Sequence, residues 1–486
     1  MKNLNIIFAA SECSPFAKTG GMADVIPSLS KELSYLGHNV YIFLPFYKNL
    51  YNFKNIEIIN TNITSNISIG TDFKQAFYYH TKLPETNVQI ILIKNDEYFF
   101  RDSLYTFQGK DYSDNFDRFL FFCKAIINFI LIKELKIDII HCNDWQTAFI
   151  PFLLKLSYKN EFLLNNTKTI FTIHNFSYQG IFEINNYYKL NLPWEYFTSD
   201  KFEYYGKINL LKSALVFSDI ITTVSPTYRN ELLISKDEIS KGLTYFLQMR
   251  EKDFYGILNG VDYSIWNPEI DKYLIANYSA KNLTGKKLCK KDLLKITNLK
   301  GFEKPLFIMI SRLVNMKGLD ILIDSLDTIL SFKLNFVLLG DGAPDIEKKL
   351  KDYSDKYKNF KLFLKFDDEL AHKMYAGGDF LIMPSKSEPC GLNQLYALKY
   401  GTIPIVHSTG GLSDTIIDYF KDYKNGTGFA FYNYSSKNLI DIIEKCVILY
   451  KNKNEINKII KRAMKQDFSW KNSAKKYLEL YYKILS

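Results

Sequence analysis

The sequence predicts an α/β protein made of two doubly wound, Rossmann-like domains. Three observations carry this reading. Short, continuous apolar runs alternate with segments whose apolar residues recur at helical spacing, and the alternation restarts in the second half. Polar, glycine-bearing loops follow the apolar runs, as expected where ligands bind at the carboxyl ends of parallel strands. A chain of 486 residues also exceeds what one hydrophobic core organises.

Residues 6–10 are apolar throughout, as in a strand buried on both faces. The loop Lys18-Thr19-Gly20-Gly21 follows, then a helix with Val25, Leu29, Leu33 and Leu36 on one stripe, closed by Gly37. The next strand is 40–44. Further strands at 137–140, 169–173 and 220–224 lead into His141, His174 and Ser225. In the second half 305–310 feeds Ser311-Arg312, 336–339 feeds Gly340-Asp341-Gly342, and 403–406 feeds Ser408-Thr409-Gly410-Gly411. The break is expected near 255–262, giving domains over 1–255 and 256–465 that face each other across a deep cleft. An amphipathic helix closes the chain (466–486), with the N-terminal domain as one candidate partner.

Composition excludes several function classes. The formal net charge of +10 is spread over many lysines without a basic block, so no nucleic-acid partner is expected. Cysteines 13, 123, 142, 289, 390 and 446 lack CxxC spacing, against a zinc site or disulfide framework and for a reducing compartment. The amino terminus runs directly into a strand, without room for a signal peptide. The longest apolar run, 119–132, carries Lys124 and Asn128 and is too short for a bilayer. A cytoplasmic protein without membrane partners is the expectation.

The densest chemistry lies in Ser387-Glu388-Pro389-Cys390-Gly391-Leu392-Asn393, after an apolar strand at 380–384 and opening a helix over 392–400. Free backbone N–H groups at a helix N-terminus suit a phosphate. A carboxylate beside a phosphate is costly, so Glu388 is expected to face sugar hydroxyls or a developing cation. Arg312 and Lys317, five apart across a strand-to-helix loop, can converge on an anion. Two cations are mildly unfavourable at a helix start, which favours a functional reading. His141, Cys142 and Asp144 are too crowded for closed coordination, and no metal is expected. No G-x-G-x-x-G follows a strand, which disfavours a dinucleotide oxidoreductase.

Taken together the motifs resemble the bacterial glycogen synthases and plant starch synthases. Lys18-Thr19-Gly20-Gly21-Met22-Ala23-Asp24-Val25 is similar to their K-x-G-G-L signature, with Met22 for Leu. His141-Cys142-Asn143-Asp144-Trp145 and Thr172-Ile173-His174-Asn175 resemble two further elements. Tyr255 to Asp262, Ser311-Arg312-Leu313 with Lys317-Gly318, Glu388-Pro389-Cys390-Gly391-Leu392 and Ser408-Thr409-Gly410-Gly411-Leu412 complete the set in order. The resemblance implies a GT-B fold, with an acceptor-side N-terminal domain and a nucleotide-sugar-binding C-terminal one. It implies retaining transfer of glucose from ADP-glucose to the non-reducing end of an α-1,4-glucan, with no cofactor.

By the same resemblance the catalytic set is Arg312, Lys317, Glu388, His174 and Asp144. Substrate-binding residues are Lys18, Gly20, Gly21, Asp24, Asn259, Phe366, Cys390, Gly391, Leu392, Thr409 and Gly410. Phe366 matches an aromatic placed against the adenine ring, and Phe keeps the stacking face. Many GT-B transferases carry a second glutamate eight positions after the first; here Tyr396 stands there, so the ribose contact is expected elsewhere. Two alternatives remain open: UDP-glucose as donor, and a glucan-binding relative without turnover.

Overall fold

The computed structural model describes residues 2–53, 56–235 and 239–486. The chain forms two compact units. One comprises the chain up to Val224, Arg229–Gly260 and Trp470–Ser486; the other comprises Ser225–Tyr228 and Val261–Ser469.

The first unit holds a nine-stranded sheet: β1 (Asn5–Ala9), β2 (Asn39–Pro45), β3 (Ile59–Ile69), β4 (Asp72–Lys82), β5 (Gln89–Lys94), β6 (Ile139–Asn143), β7 (Lys168–Ile173), β8 (Ile220–Thr223) and β9 (Phe254–Gly256). Their spatial order is β9-β8-β7-β6-β1-β2-β5-β4-β3. From β9 to β5 every pairing is parallel, with Ile6 opposite both Val40 and Ile139. The apolar runs are central strands, and Ile6, Ile7, Phe8 and Ala9 are fully buried.

An antiparallel hairpin, β3–β4, extends this sheet beyond the doubly wound pattern. Its first strand alternates Ile with Asn, Thr and Ser, which suits a strand with one wet face. The apolar segment 119–132 lies in the helix Asn115–Ile132, buried along most of its length. There Lys124 Nζ donates to the Ser68 carbonyl at 2.8 Å, and buried Arg118 donates to the carbonyls of Tyr98 and Leu104. No helix of the described residues is long and apolar enough to cross a membrane.

The second unit holds β10 (Leu306–Ile310), β11 (Asn335–Leu339), β12 (Phe360–Phe363), β13 (Phe380–Met383), β14 (Ile403–His407) and β15 (Phe429–Phe431), in the order β12-β11-β10-β13-β14-β15. All five pairings are parallel. Helices such as Leu319–Ser331 and Ser436–Leu449 bury their apolar stripes against it.

The last helix, Trp470–Leu485, belongs to the first unit. Tyr481 OH meets His141 Nδ1 at 2.7 Å, Ser473 Oγ donates to the Leu258 carbonyl at 2.6 Å, and Tyr482 OH donates to the Lys2 carbonyl at 2.8 Å.

Candidate active site

In the second sheet β10, β11 and β12 run outward on one side while β13, β14 and β15 extend on the other. The order reverses between β10 and β13, which is where doubly wound sheets open a ligand crevice. The loops leaving these two strands interlock. Lys386 N donates to the Met316 carbonyl at 2.9 Å, and Asn393 Nδ2 donates to the Ile310 carbonyl at 2.6 Å. Gly318 adopts φ +76°, and any side chain there would collide with the Pro384 carbonyl.

This interlock brings Lys317 and Glu388 together: Lys317 Nζ donates to Glu388 Oε2 at 2.6 Å. Ser385 Oγ donates to the same oxygen at 3.0 Å. Glu388 is only 5 % exposed, so its charge is held by these two partners rather than by water. The loop after β14 packs on the same segment, with Gly411 N donating to the Glu388 carbonyl at 3.1 Å. Gly410, at φ +46°, abuts that carbonyl and Gly411 abuts Cys390, which places Cys390, Thr409 and Gly410 beside Glu388. Arg312, on the loop after β10, is exposed, and its guanidinium makes no hydrogen bond among the described residues. Phe366 follows the edge strand β12 and is 73 % exposed, with its ring presented to solvent.

The first unit repeats the design. Its strand order reverses between β1 and β6. The loop after β1 carries Lys18, Gly20 and Gly21, and Asp24 lies in the first turn of the following helix, Met22–Tyr35; Lys18 Nζ is 2.9 Å from Asp24 Oδ1 in an exposed pair of small energetic weight. Space is open around the Gly20 Cα, so backbone there is accessible to a ligand. After β6, Asp144 adopts φ +56° and ψ 177°, a conformation that costs about 1–3 kcal/mol for a side-chain-bearing residue. The strained backbone turns the carboxylate so that Oδ1 accepts the His174 N–H at 2.8 Å. Burial raises the Asp144 carboxyl to about 7; N–H donation from His174 and Asn175 opposes this and the charge of Glu12 adds to it. His174 Nε2 lies 3.0 Å from Asn143 Oδ1, and burial lowers its imidazole to about 4, so it is neutral at physiological pH.

Two residues differ from the sequence reading. That reading ends the strand before His141; β6 instead continues to Asn143 and buries His141 within it. Both its ring nitrogens meet hydroxyls, Tyr481 at 2.7 Å and Thr172 at 2.5 Å, which makes it a packing residue. Glu12 is the functional candidate that sequence reasoning missed. Buried at 4 % exposure, it accepts from Thr19 N (2.6 Å), Gly20 N (3.0 Å), Thr19 Oγ1 (2.7 Å) and Tyr105 OH (2.8 Å). It is the anchor that shapes the glycine loop.

Asn259 follows β9 and is buried, with its Oδ1 lacking a hydrogen-bond partner among the described residues. Tyr396 is stacked on Trp266 with ring centroids 4.0 Å apart and 10° between planes. The Trp266 ring also stacks on His372 at 3.9 Å and 7°. His372 Nδ1 is in turn 2.7 Å from Asp271 Oδ2. Among the described residues no group of three His, Cys, Asp or Glu side chains forms a metal-binding cluster.

Comparison with known proteins gives this arrangement a family. Residues 5–249 match the model of the starch synthase catalytic domain, and residues 291–466 that of the glycosyl transferases group 1. Glycogen synthase 2 of Geobacter metallireducens is 40 % identical over 480 residues, 98 % of each chain. Glycogen synthase of Pseudothermotoga lettingae is 41 % identical over 490 residues, 99 % of each. The chain belongs to the glycogen and starch synthase family. The family's GT-B fold is seen directly in the catalytic domain of starch synthase IV from Arabidopsis thaliana, solved with ADP and acarbose. It superposes with a TM-score of 0.92 at 33 % identity over the full length of both chains. A sucrose-phosphate synthase from Thermosynechococcus elongatus shares the fold at a TM-score of 0.61 and 16 % identity. As a glycogen and starch synthase family member, the protein is a glucosyltransferase working between a nucleotide-sugar donor and a glucan acceptor.

Proposed function

We propose that this enzyme transfers glucose, with retention, from ADP-glucose to the non-reducing end of an α-1,4-glucan and releases ADP, acting in the cytoplasm. The Lys317–Glu388 pair at the switch point of the second sheet carries this reading, since it sets a cation and a carboxylate side by side at a helix start. The likeness to a starch synthase solved with ADP supports the donor.

In the proposed reaction the bond from the glucosyl C1 to the phosphate oxygen breaks, and its electron pair leaves with the diphosphate. Arg312 and Lys317 stabilise the negative charge that builds there. The acceptor hydroxyl bonds to C1 on the same face, and its proton passes to the departing phosphate oxygen. No protein nucleophile or separate base is needed; the work is positioning and electrostatics. Glu388 holds glucose hydroxyls and orients the ring. Asp144 stabilises developing positive charge, and neutral His174 contacts the sugar. Lys18, Asp24 and the Gly20-Gly21 backbone bind the donor, as does Asn259. Phe366 stacks on adenine. Backbone N–H groups at Cys390, Gly391, Leu392, Thr409 and Gly410 meet the phosphates and glucose hydroxyls.

The test is incorporation of labelled glucose into a glycogen primer from ADP-glucose, and in parallel from UDP-glucose, with chelator present. Incorporation from ADP-glucose supports the reading. Transfer from UDP-glucose alone overturns the donor. Glucan binding without transfer from either overturns the enzyme.

A further inference from the structure

Gln394 lies in the first turn of the helix Asn393–Tyr400 and is wholly buried. Its Nε2 donates to the Cys390 carbonyl at 2.9 Å and to the Gly391 carbonyl at 3.0 Å, with Thr415 Oγ1 at 3.4 Å. Each of those carbonyls shares a peptide plane with the next N–H group, that of Gly391 and of Leu392 respectively. In a trans peptide the C=O and N–H point in opposite directions. Holding both carbonyls towards Gln394 therefore turns both N–H groups away from it. Neither N–H has a hydrogen-bond partner among the described residues.

The cost of this pose is visible. Gln394 Oε1 is buried without a hydrogen-bond partner among the described residues, which opposes folding. Gly391 takes φ +72°, and a side chain at that position would collide with the Gln394 amide. Glycine at 391 and glutamine at 394 are thus one device: the first makes room, the second sets the two peptide planes.

We infer that Gln394 is a positioning residue for donor binding, aligning the Gly391 and Leu392 N–H groups on the oxygens of the sugar diphosphate. The inference rests on the nucleotide-sugar reading above. Gln394 touches no reacting atom; it acts through the loop it orients.

The test compares Gln394→Met and Gln394→Glu with the parent enzyme. Affinities for ADP and AMP, and for UDP and UMP, are measured by calorimetry, together with the KM for the matching sugar nucleotide and the melting temperature. The parent first identifies which diphosphate it prefers over its monophosphate. Gln394→Met should weaken that diphosphate about tenfold and leave the monophosphate within about twofold, as expected when donors to a charged phosphate are misaligned. Gln394→Glu should be worse, because its carboxylate faces two carbonyls. Equal losses for both nucleotides, or an unchanged ratio in either folded variant, would overturn the inference and leave Gln394 as packing. A parent that discriminates neither pair would overturn the donor reading itself, and this inference with it.

Discussion

Lys317 Nζ donates to Glu388 Oε2 at 2.6 Å, so two groups assigned to opposite parts of the donor are held against each other across the switch point of one sheet. The ammonium is a quarter exposed while the carboxylate is almost fully enclosed. Removing the cation strands a buried charge with Ser385 as its remaining side-chain donor. Lys317→Met and Glu388→Gln should each lower the transfer rate by roughly 10²–10³-fold, the scale of lost transition-state electrostatics. The double variant should fall well short of the product of the two losses, because the residues share one interaction. Glucan binding, measured alongside, should be retained in all three.

Asp144 gives a pH signature with a defined sign. Its carboxyl is raised by burial to about 7. Below about pH 4 it is protonated in folded and unfolded chains alike, and contributes nothing. Between about 4 and 7 only the unfolded chain releases the proton, so Asp144 lowers stability progressively as pH rises, and above 7 the penalty is constant. Asp144→Asn should therefore melt higher than the parent at pH 8, with the gain vanishing towards pH 4. His174 and His141, lowered by burial to about 4 and 3, act oppositely: below about 6.5 the unfolded chain gains protons they refuse, and stability falls. An activity limb near pH 7 that persists in Asp144→Asn would remove Asp144 as its source.

Glu12 accepts four hydrogen bonds that bind the loop after β1 to Tyr105. Glutamine in its place keeps one acceptor oxygen for the Thr19 and Gly20 N–H groups, turns its NH₂ to the two hydroxyls, and removes the negative charge that strengthens all four bonds. Glu12→Gln should raise the donor KM by about tenfold, equivalent to one or two lost charge-assisted bonds. It should also shift the Asp144 limb to lower pH, since a neighbouring negative charge is gone. A KM change without that shift would confine Glu12 to loop shape.

Phe366 is mostly exposed, so replacing it should leave the melting temperature nearly unchanged. Phe366→Ala should weaken ADP by about 3–10-fold, the worth of one aromatic stacking contact, while Phe366→Tyr should stay close to the parent. Equal ADP affinity in Phe366→Ala would dismiss the stacking role.

The strand-end placement of the candidate residues was legible because its signals are local. A glycine, a proline or a charge directly after an apolar run marks the carboxyl end of a parallel strand, and Lys18, Asp144, His174, Arg312 and Glu388 all sit there. What escaped is what depends on distance along the chain. Glu12 reads as one more polar residue until Tyr105, 93 positions on, is seen to close over it. His141 reads as a polar residue just past a strand end until Tyr481, 340 positions away, caps its ring. The β3–β4 hairpin left a trace in the Ile alternation of 59–69, but nothing local says which sheet edge it joins.

The stack of Tyr396 on Trp266, itself on His372, bears on how such an enzyme changes its diet. Drift towards a ribose-gripping carboxylate at position 396 would first dismantle an aromatic column tied to Asp271. The intermediate would lose stability, because a carboxylate replaces neither the buried ring nor its stack on Trp266. Acquiring such a carboxylate is thus insulated from single-step evolution, since Trp266 and His372 would have to be repacked along with it.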